Sequence, residues 1–339
     1  MGNSKRIAVV GAAGHTGRFV VEELLRRTIA PIAVGRNRTK LESHYYAPEV
    51  ELRIADLQDP RSLDCALDGV DAVINCAGPF LDSARPVVEA ALRAGIHYLD
   101  VTAEQASAIA TFDEFDARAR SAGIAVVPAA GFYGGFGDLL ATTAVGDWTT
   151  ADELTIFIAL DHWWPTEGTR KTGARNTVPR VVLQSGTLTP QEFPRRTTTW
   201  TFVEPFGAQD VVEAPLTETV LIARHLAVSD ATNFISAQPL REVDDSATPP
   251  PARSDAMGRS HQQFAVEAVA RWGDDERRTV ARGQDIYALT APLIVEAAQR
   301  IVTDGSARSG ALTPGGTFDA RSFLAALERS YPSLEVWYR

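Results

Sequence analysis

The chain has 339 residues, 45% of them apolar and 22% charged, enough to bury a large core in two packed domains and too hydrophobic for disorder over most of its length. A formal charge of -10 excludes nucleic acid or an anionic membrane surface as the main partner, because both select basic faces. Two cysteines and six scattered histidines, none at metal-ligand spacing, predict neither a disulfide framework nor a metal site.

No apolar run approaches the roughly 20 residues that span a bilayer. Residues 1–6 lead directly into a strand with no signal-peptide core, so the expected location is the cytoplasm. From Arg6 to Gly131, short β-branched runs alternate with amphipathic stretches, the pattern of a parallel sheet covered on both faces. The spacing predicts strands at Ile7–Val10, Pro31–Val34, Val50–Ile54, Ala72–Asn75, Tyr98–Val101 and Ile124–Val127. Helices are predicted over Thr16–Arg27, Ser83–Ala94 and Glu104–Ser121, the last two ended by Gly95 and Gly123.

Beyond about Asp152 the segments lengthen and alternate. Leu154–Leu160, Pro179–Gln184, Thr198–Val203, Asn233–Ala237, Gln263–Arg271 and Arg277–Gly283 predict a mainly antiparallel sheet. A last helix is expected to start with Thr290 as its cap and to carry the stripe Leu293, Ile294, Ala297, Ala298, Ile301. Glu167–Asn176, with two glycines among cations, and Asp244–Ser260, with three prolines, read as mobile loops.

Chemistry concentrates where strands end. The first strand runs into Gly11-Ala12-Ala13-Gly14-His15-Thr16-Gly17 and then at once into a helix, the context in which a glycine motif becomes a phosphate cradle. Gly11 permits a tight turn, Gly14 lets the backbone approach a pyrophosphate, and Gly17 lets helix and strand pack closely, with Ala13, His15 and Thr16 lining the same turn. The second strand ends in Gly35-Arg36-Asn37-Arg38 with no acid in reach, so a ribose 2'-phosphate on Arg36 and Arg38, hence NADP(H), is the expected cofactor. Asp56 and Leu57 are placed to meet the adenine, and Cys76-Ala77-Gly78-Pro79 to run beside the nicotinamide ribose, with Phe80 next on the substrate side.

A reductase also needs a proton donor. Asp100 and Glu104, at the carboxyl end of the fifth strand and the start of the next helix, Tyr133 in the glycine-rich link 131–138, and His162 are the candidates. Trp163 beside His162 forms a pocket wall, while Arg170, Lys171 and Arg175 offer a clamp for a substrate anion.

Together Gly11–Arg18, Asn75–Phe80, Tyr98–Glu104, Pro128–Asp138 and Gly283–Ala291 resemble the saccharopine dehydrogenase-like NADP-binding oxidoreductases, the group of saccharopine reductases and trans-acting enoyl reductases. The likeness covers residues 1 to about 145 and the segment 280–304. It implies an α/β fold: a Rossmann doubly wound parallel sheet plus an inserted α+β domain with a mainly antiparallel sheet. The Rossmann domain would comprise 1–130 and 284–339, and the inserted domain, 131–283, would bind substrate and form a homodimer. The expected reaction is NADP(H)-dependent reduction of a C=N bond in a small molecule. The alternatives are an enoyl reductase acting on a carrier-bound or lipid-like substrate and a non-catalytic NADP-responsive regulator.

Overall fold

A computed structural model of the chain describes residues 5–45, 49–303 and 308–339, so the first four residues of the expected lead into the opening strand lie outside it. Strands β1 (Arg6–Val10), β2 (Ala30–Gly35), β3 (Glu51–Ile54), β4 (Ala72–Asn75), β5 (His97–Asp100) and β6 (Ala125–Val127) open the chain. Next come β7 (Ala151–Leu160), β8 (Val181–Gln184), β9 (Thr187–Pro190), β10 (Thr197–Thr201), β11 (Ala208–Glu213), β12 (Val228–Ser236), β13 (Gln263–Trp272) and β14 (Asp275–Gln284). Two short strands, β15 (Gly310–Ala311) and β16 (Glu335–Tyr338), follow.

The first compact unit holds the chain up to Gly131 together with residues 171–176 and 290–312. Its seven strands run in the order β15-β6-β5-β4-β1-β2-β3, all parallel, with the reversal beside β1 that defines a doubly wound nucleotide-binding sheet. Such a sheet is buried on both faces, which is why Ile7, Ala8, Val9, Val73 and Ile74 are apolar without alternation. Helix His15–Arg26 leaves the end of β1, and helices Phe80–Ala94 and Gln105–Ala122 leave β4 and β5. Gly95 and Gly123 close the last two in the left-handed conformation, φ 68° and 70°, as their sequence positions predict.

The second unit holds residues 132–170, 177–289 and 313–339. Its mixed sheet orders β10-β11-β12-β7-β13-β14-β16, antiparallel except for the parallel pair β12 and β7, with the hairpin β8–β9 attached to β12. Among the described residues no helix is long and apolar enough to cross a membrane.

Three expectations are corrected. Residues 167–175 form a helix, not a loop: Thr166 Oγ1 accepts from Thr169 N at 3.0 Å and the acid Glu167 occupies the first turn, a cap-and-dipole arrangement that outweighs Gly168 and Gly173. Residues 313–339 pack with the second unit, because β16 adds to the edge of β14 in register Thr279–Tyr338 to Arg282–Glu335, so only 290–312 return to the parallel sheet. The late helix spans Ile286–Thr303, and Asp285 caps it by accepting from Tyr287 N and Ala288 N at 2.9 and 3.0 Å, which leaves Thr290 inside the helix.

Candidate functional site

In the first unit the glycine loop is fixed by sterics. Gly11 has φ +80°, and a Cβ there would sit 2.9 Å from Ala77 N and from the Cys76 carbonyl. A Cβ on Gly14 would lie 3.0 Å from the Gly11 oxygen, and one on Gly17 would overlap that oxygen outright. Each glycine is therefore demanded by a backbone approach, and the turn they form is locked on β2 by Gly11 N and Ala12 N donating to Val34 O at 3.0 and 3.3 Å. No side chain caps Gly14, so the amide end of the helix has no side-chain acceptor there, with Ala13, His15 and Thr16 part-buried on the same turn. Tyr45, which carries no motif, donates its OH to Ala12 O at 2.7 Å and braces the loop from beneath.

The second strand end separates Arg36 and Arg38, expected at the 2'-phosphate, and Asn37 between them. Arg36 is exposed and makes no ion pair among the described residues. Arg38 reaches Glu42 at 3.4 Å on the surface. Asn37 has a structural task instead: its side chain accepts from Lys40 N at 2.9 Å and caps the helix Arg38–Glu42. Asp56 stays exposed at the end of β3 with Oδ1 accepting from Gln58 N, while Leu57 is half-buried against the core.

Asp100 and Glu104, expected as proton donors, are wholly buried and engaged with backbone. Asp100 Oδ1 accepts from Thr102 N and Ala129 N at 3.0 and 2.8 Å, and Oδ2 accepts from Tyr98 OH at 2.8 Å. Burial pushes its carboxyl up to about 6 against the pull of those donors. The network continues through Tyr98 to Asn75, whose Oδ1 holds Ala77 N, so its output is the shape of the segment that follows β4. Glu104 takes Phe80 N and Leu81 N on its two oxygens at 2.7 and 3.0 Å, capping a helix whose own cap residue, Pro79, has no acceptor. Asp100 thus supports the segment after β4 through Tyr98 and Asn75, and Glu104 fastens the start of the helix Phe80–Ala94.

Within that loop, burial pushes the Cys76 thiol up, away from a reactive thiolate. Thr172 Oγ1 lies so close to Gly78 that a Cβ there would meet it at 2.9 Å, which makes Thr172 a neighbour of the loop that sequence spacing did not reveal. Phe80 is buried. Arg175 pairs with Asp82 at 2.9 Å, both half exposed, and Lys171 is exposed on the same helix.

In the second unit the link after Gly131 makes a wide turn, Phe132–Phe136, where Tyr133 (φ -83°, ψ 95°) and Gly134 (φ 134°) leave helical geometry. Distant residues hold it there. Thr217 Oγ1 donates to Tyr133 O at 2.7 Å, and Glu218 Oε1 accepts from Gly134 N at 2.8 Å. The Tyr133 ring packs on Trp163 at 5.1 Å, yet its hydroxyl is buried without a hydrogen-bond partner among the described residues. Burial, then the neighbouring Tyr287 and Glu218, raise this phenol well above its ordinary value, so it keeps its proton. Glu218 is itself pushed up to about 7 by burial.

His162 is half exposed, stacked on Trp164 at 5.0 Å, with Nδ1 3.0 Å from Glu242 Oε1. The other oxygen of Glu242 accepts from Trp163 N at 2.8 Å. Trp163 Nε1 and Thr169 Oγ1 meet Tyr287 OH at 3.3 and 3.0 Å, an aromatic wall around Tyr133. Arg170 does not offer a clamp: its guanidinium donates to the carbonyls of Asp245 and Thr248 at 3.2 and 2.6 Å and fastens the irregular segment after helix Ala237–Asp244.

A doubly wound sheet with a glycine phosphate cradle, joined in one chain to a mixed sheet, is the architecture of a nucleotide-dependent two-unit protein. Residues 11–120 match the family described as NAD(P)H-binding. In sequence the chain is 28% identical over 145 residues to a saccharopine dehydrogenase-like oxidoreductase of Bos taurus, covering 37% of this chain and 34% of that protein. It is 32% identical over 142 residues to a probable mitochondrial saccharopine dehydrogenase-like oxidoreductase of Arabidopsis thaliana, covering 37% and 31%. To a trans-acting enoyl reductase of Mycobacterium leprae it is 29% identical over 133 residues, covering 37% and 32%. The match thus spans about a third of the length of these relatives. The whole fold matches saccharopine dehydrogenase (L-Glu forming) of Saccharomyces cerevisiae, TM-score 0.68 at 13% identity, over 99% of this chain and 100% of that one. The nucleotide-binding segment is related in sequence to saccharopine dehydrogenase-like oxidoreductases, and the chain as a whole has the saccharopine dehydrogenase fold.

Proposed function

We propose that this protein is an NADP(H)-dependent oxidoreductase that reduces a C=N bond in a small polar molecule. The observation that carries the reading is the loop Gly11–Gly17, in which all three glycines are required by backbone contacts and the helix behind it is left uncapped. Its amides would hold the pyrophosphate, Arg36 the 2'-phosphate, and the segment Cys76–Pro79 the nicotinamide ribose. The cofactor supplies the hydride.

What the chain must add is orientation and a proton. Tyr133 is the donor in this reading, because it retains its proton at neutral pH and its hydroxyl has no competing partner among the described residues. His162, backed by Glu242, is the second titratable group of the same unit. A phenol and an imidazole backed by Glu242 favour a polar C=N acceptor over the enoyl chemistry named for the Mycobacterium leprae relative.

The test follows NADPH oxidation against cyclic imines, keto acid plus amine pairs and enoyl thioesters. Turnover confined to the thioesters would replace the C=N reading, and no dinucleotide binding at all would end the oxidoreductase reading. For the cofactor, Arg36→Ala is expected to weaken NADPH by about 1.5 to 3 kcal/mol of charge-assisted hydrogen bonding and to leave NADH unchanged in a fluorescence titration. Equal loss for both dinucleotides would remove Arg36 from the 2'-phosphate.

A further inference from the structure

Residues 171–176, which include the end of the helix Glu167–Arg175, pack with the first unit on the stretch 78–82 after β4. Thr172 Oγ1 stands where a Cβ on Gly78 would meet it at 2.9 Å, closer than a real Cβ comes to a neighbour, so a glycine is what lets this hydroxyl in. One turn later Arg175 reaches Asp82, in the first turn of helix Phe80–Ala94, with Nη2 2.9 Å from Oδ1 and Nε 3.2 Å from both carboxylate oxygens. Positions three apart share a helix face, so the hydroxyl and the guanidinium approach the same stretch together.

The Thr172 hydroxyl has no task inside the protein. It is half-buried and makes no hydrogen bond among the described residues, whereas the other threonine of its helix, Thr169, bonds Thr166 and Tyr287. The stretch it faces is held from both sides. Asp100, through Tyr98 and Asn75, fixes Ala77 N, and Glu104 fixes Phe80 N and Leu81 N. Gly78 lies between these two anchors, so a free hydroxyl is set against a backbone segment that the fold shapes with buried polar groups.

We propose that Thr172 is a cofactor-contacting residue whose hydroxyl bonds the nicotinamide riboside of a bound dinucleotide, and that Arg175 with Asp82 is the positioning pair that holds it there. The assignment rests on the oxidoreductase reading, which seats that part of the dinucleotide along Cys76–Pro79. A threonine hydroxyl both donates and accepts, which suits the ribose hydroxyls and the carboxamide of that group. The ion pair is half exposed on both sides, so it is a light fastening and its effect is the smaller of the two.

The intact chain is titrated calorimetrically with NADPH and with adenosine 2',5'-bisphosphate, which lacks the nicotinamide riboside. Thr172→Val, which keeps the shape and loses the hydroxyl, is expected to weaken NADPH about 3- to 10-fold and to leave the bisphosphate unchanged, while Thr172→Ser binds both as the wild type does. Arg175→Gln is expected to weaken NADPH about 2- to 5-fold, again without effect on the bisphosphate. Undiminished NADPH binding by Thr172→Val, equal loss of both probes, or a Thr172→Ser variant as weak as Thr172→Val would overturn the assignment and leave the oxidoreductase reading standing. An unaltered Arg175→Gln would remove the positioning pair. A wild type that binds neither NADPH nor NADH would end both ideas. A wild type that binds NADH alone, with the same Thr172-dependent loss measured against adenosine 5'-monophosphate, would sustain this assignment and correct only the 2'-phosphate part of the reading.

Discussion

The two units build their sites by opposite means. In the first, the candidate surface is backbone: three glycines within seven residues, a strand before them and a helix after, all contiguous in the chain. In the second it is side chains gathered from far apart, Tyr133 with Thr217 and Glu218, Trp163 with Tyr287, His162 with Glu242. A backbone site tolerates changes to its neighbours and fails when a single Cβ is added. A side-chain site should do the reverse, keeping its fold while losing its chemistry.

The largest expected effect tests the second half of that contrast. Tyr133→Phe should lower turnover by about 10²- to 10⁴-fold, the usual worth of a positioned proton donor. Dinucleotide affinity should stay unchanged, and stability should hold or rise slightly, because the deleted hydroxyl is buried and unpaired. A turnover loss matched by weaker NADPH binding or by a lower melting temperature would show a packing residue.

Gly17→Ala tests the first half. The added methyl overlaps the Gly11 carbonyl, a backbone atom that cannot step aside, so a cost of about 1 to 3 kcal/mol in chemical denaturation is expected together with loss of dinucleotide binding. Wild-type binding by this variant would mean that the loop is not shaped by close approach.

The smallest effect concerns pH. Glu218 has its folded pKa raised to about 7 by burial, so between the unfolded carboxylate value and 7 the native state holds a proton that the unfolded chain has released, and stability declines as pH rises through that window. Asp100, raised to about 6, adds a decline of the same sign ending one unit lower. Glu218→Gln should keep the contact to Gly134 N and abolish the part of the decline above pH 6, measured as melting temperature against pH. An unchanged slope would place the proton elsewhere.

The roles of the acids show where reading the chain falls short. Asp100 and Glu104 sit where a proton donor would sit, at a strand's carboxyl end and a helix start, yet each is bound to amides that folding delivers: Asp100, besides its neighbours Thr102 N and Tyr98 OH, to Ala129 N after the next strand, and Glu104 to Phe80 N and Leu81 N of the preceding helix. The arginines shift likewise. Arg170 and Arg175 stand in a cationic segment that suggests a clamp, but find carbonyls and Asp82 as partners.

The residues themselves determine the doubly wound sheet, the phosphate loop and the basic end of the second strand, because those features depend on local conformational freedom, on the period of apolar residues and on neighbours within a few positions. The tertiary structure alone decides that 313–339 add to the second sheet and which carboxylates and guanidiniums are satisfied. Hydrogen bonding of a buried polar group is a property of whatever partner the fold brings within reach, and for Glu104 and Asp100 that includes amides 24 and 29 residues away.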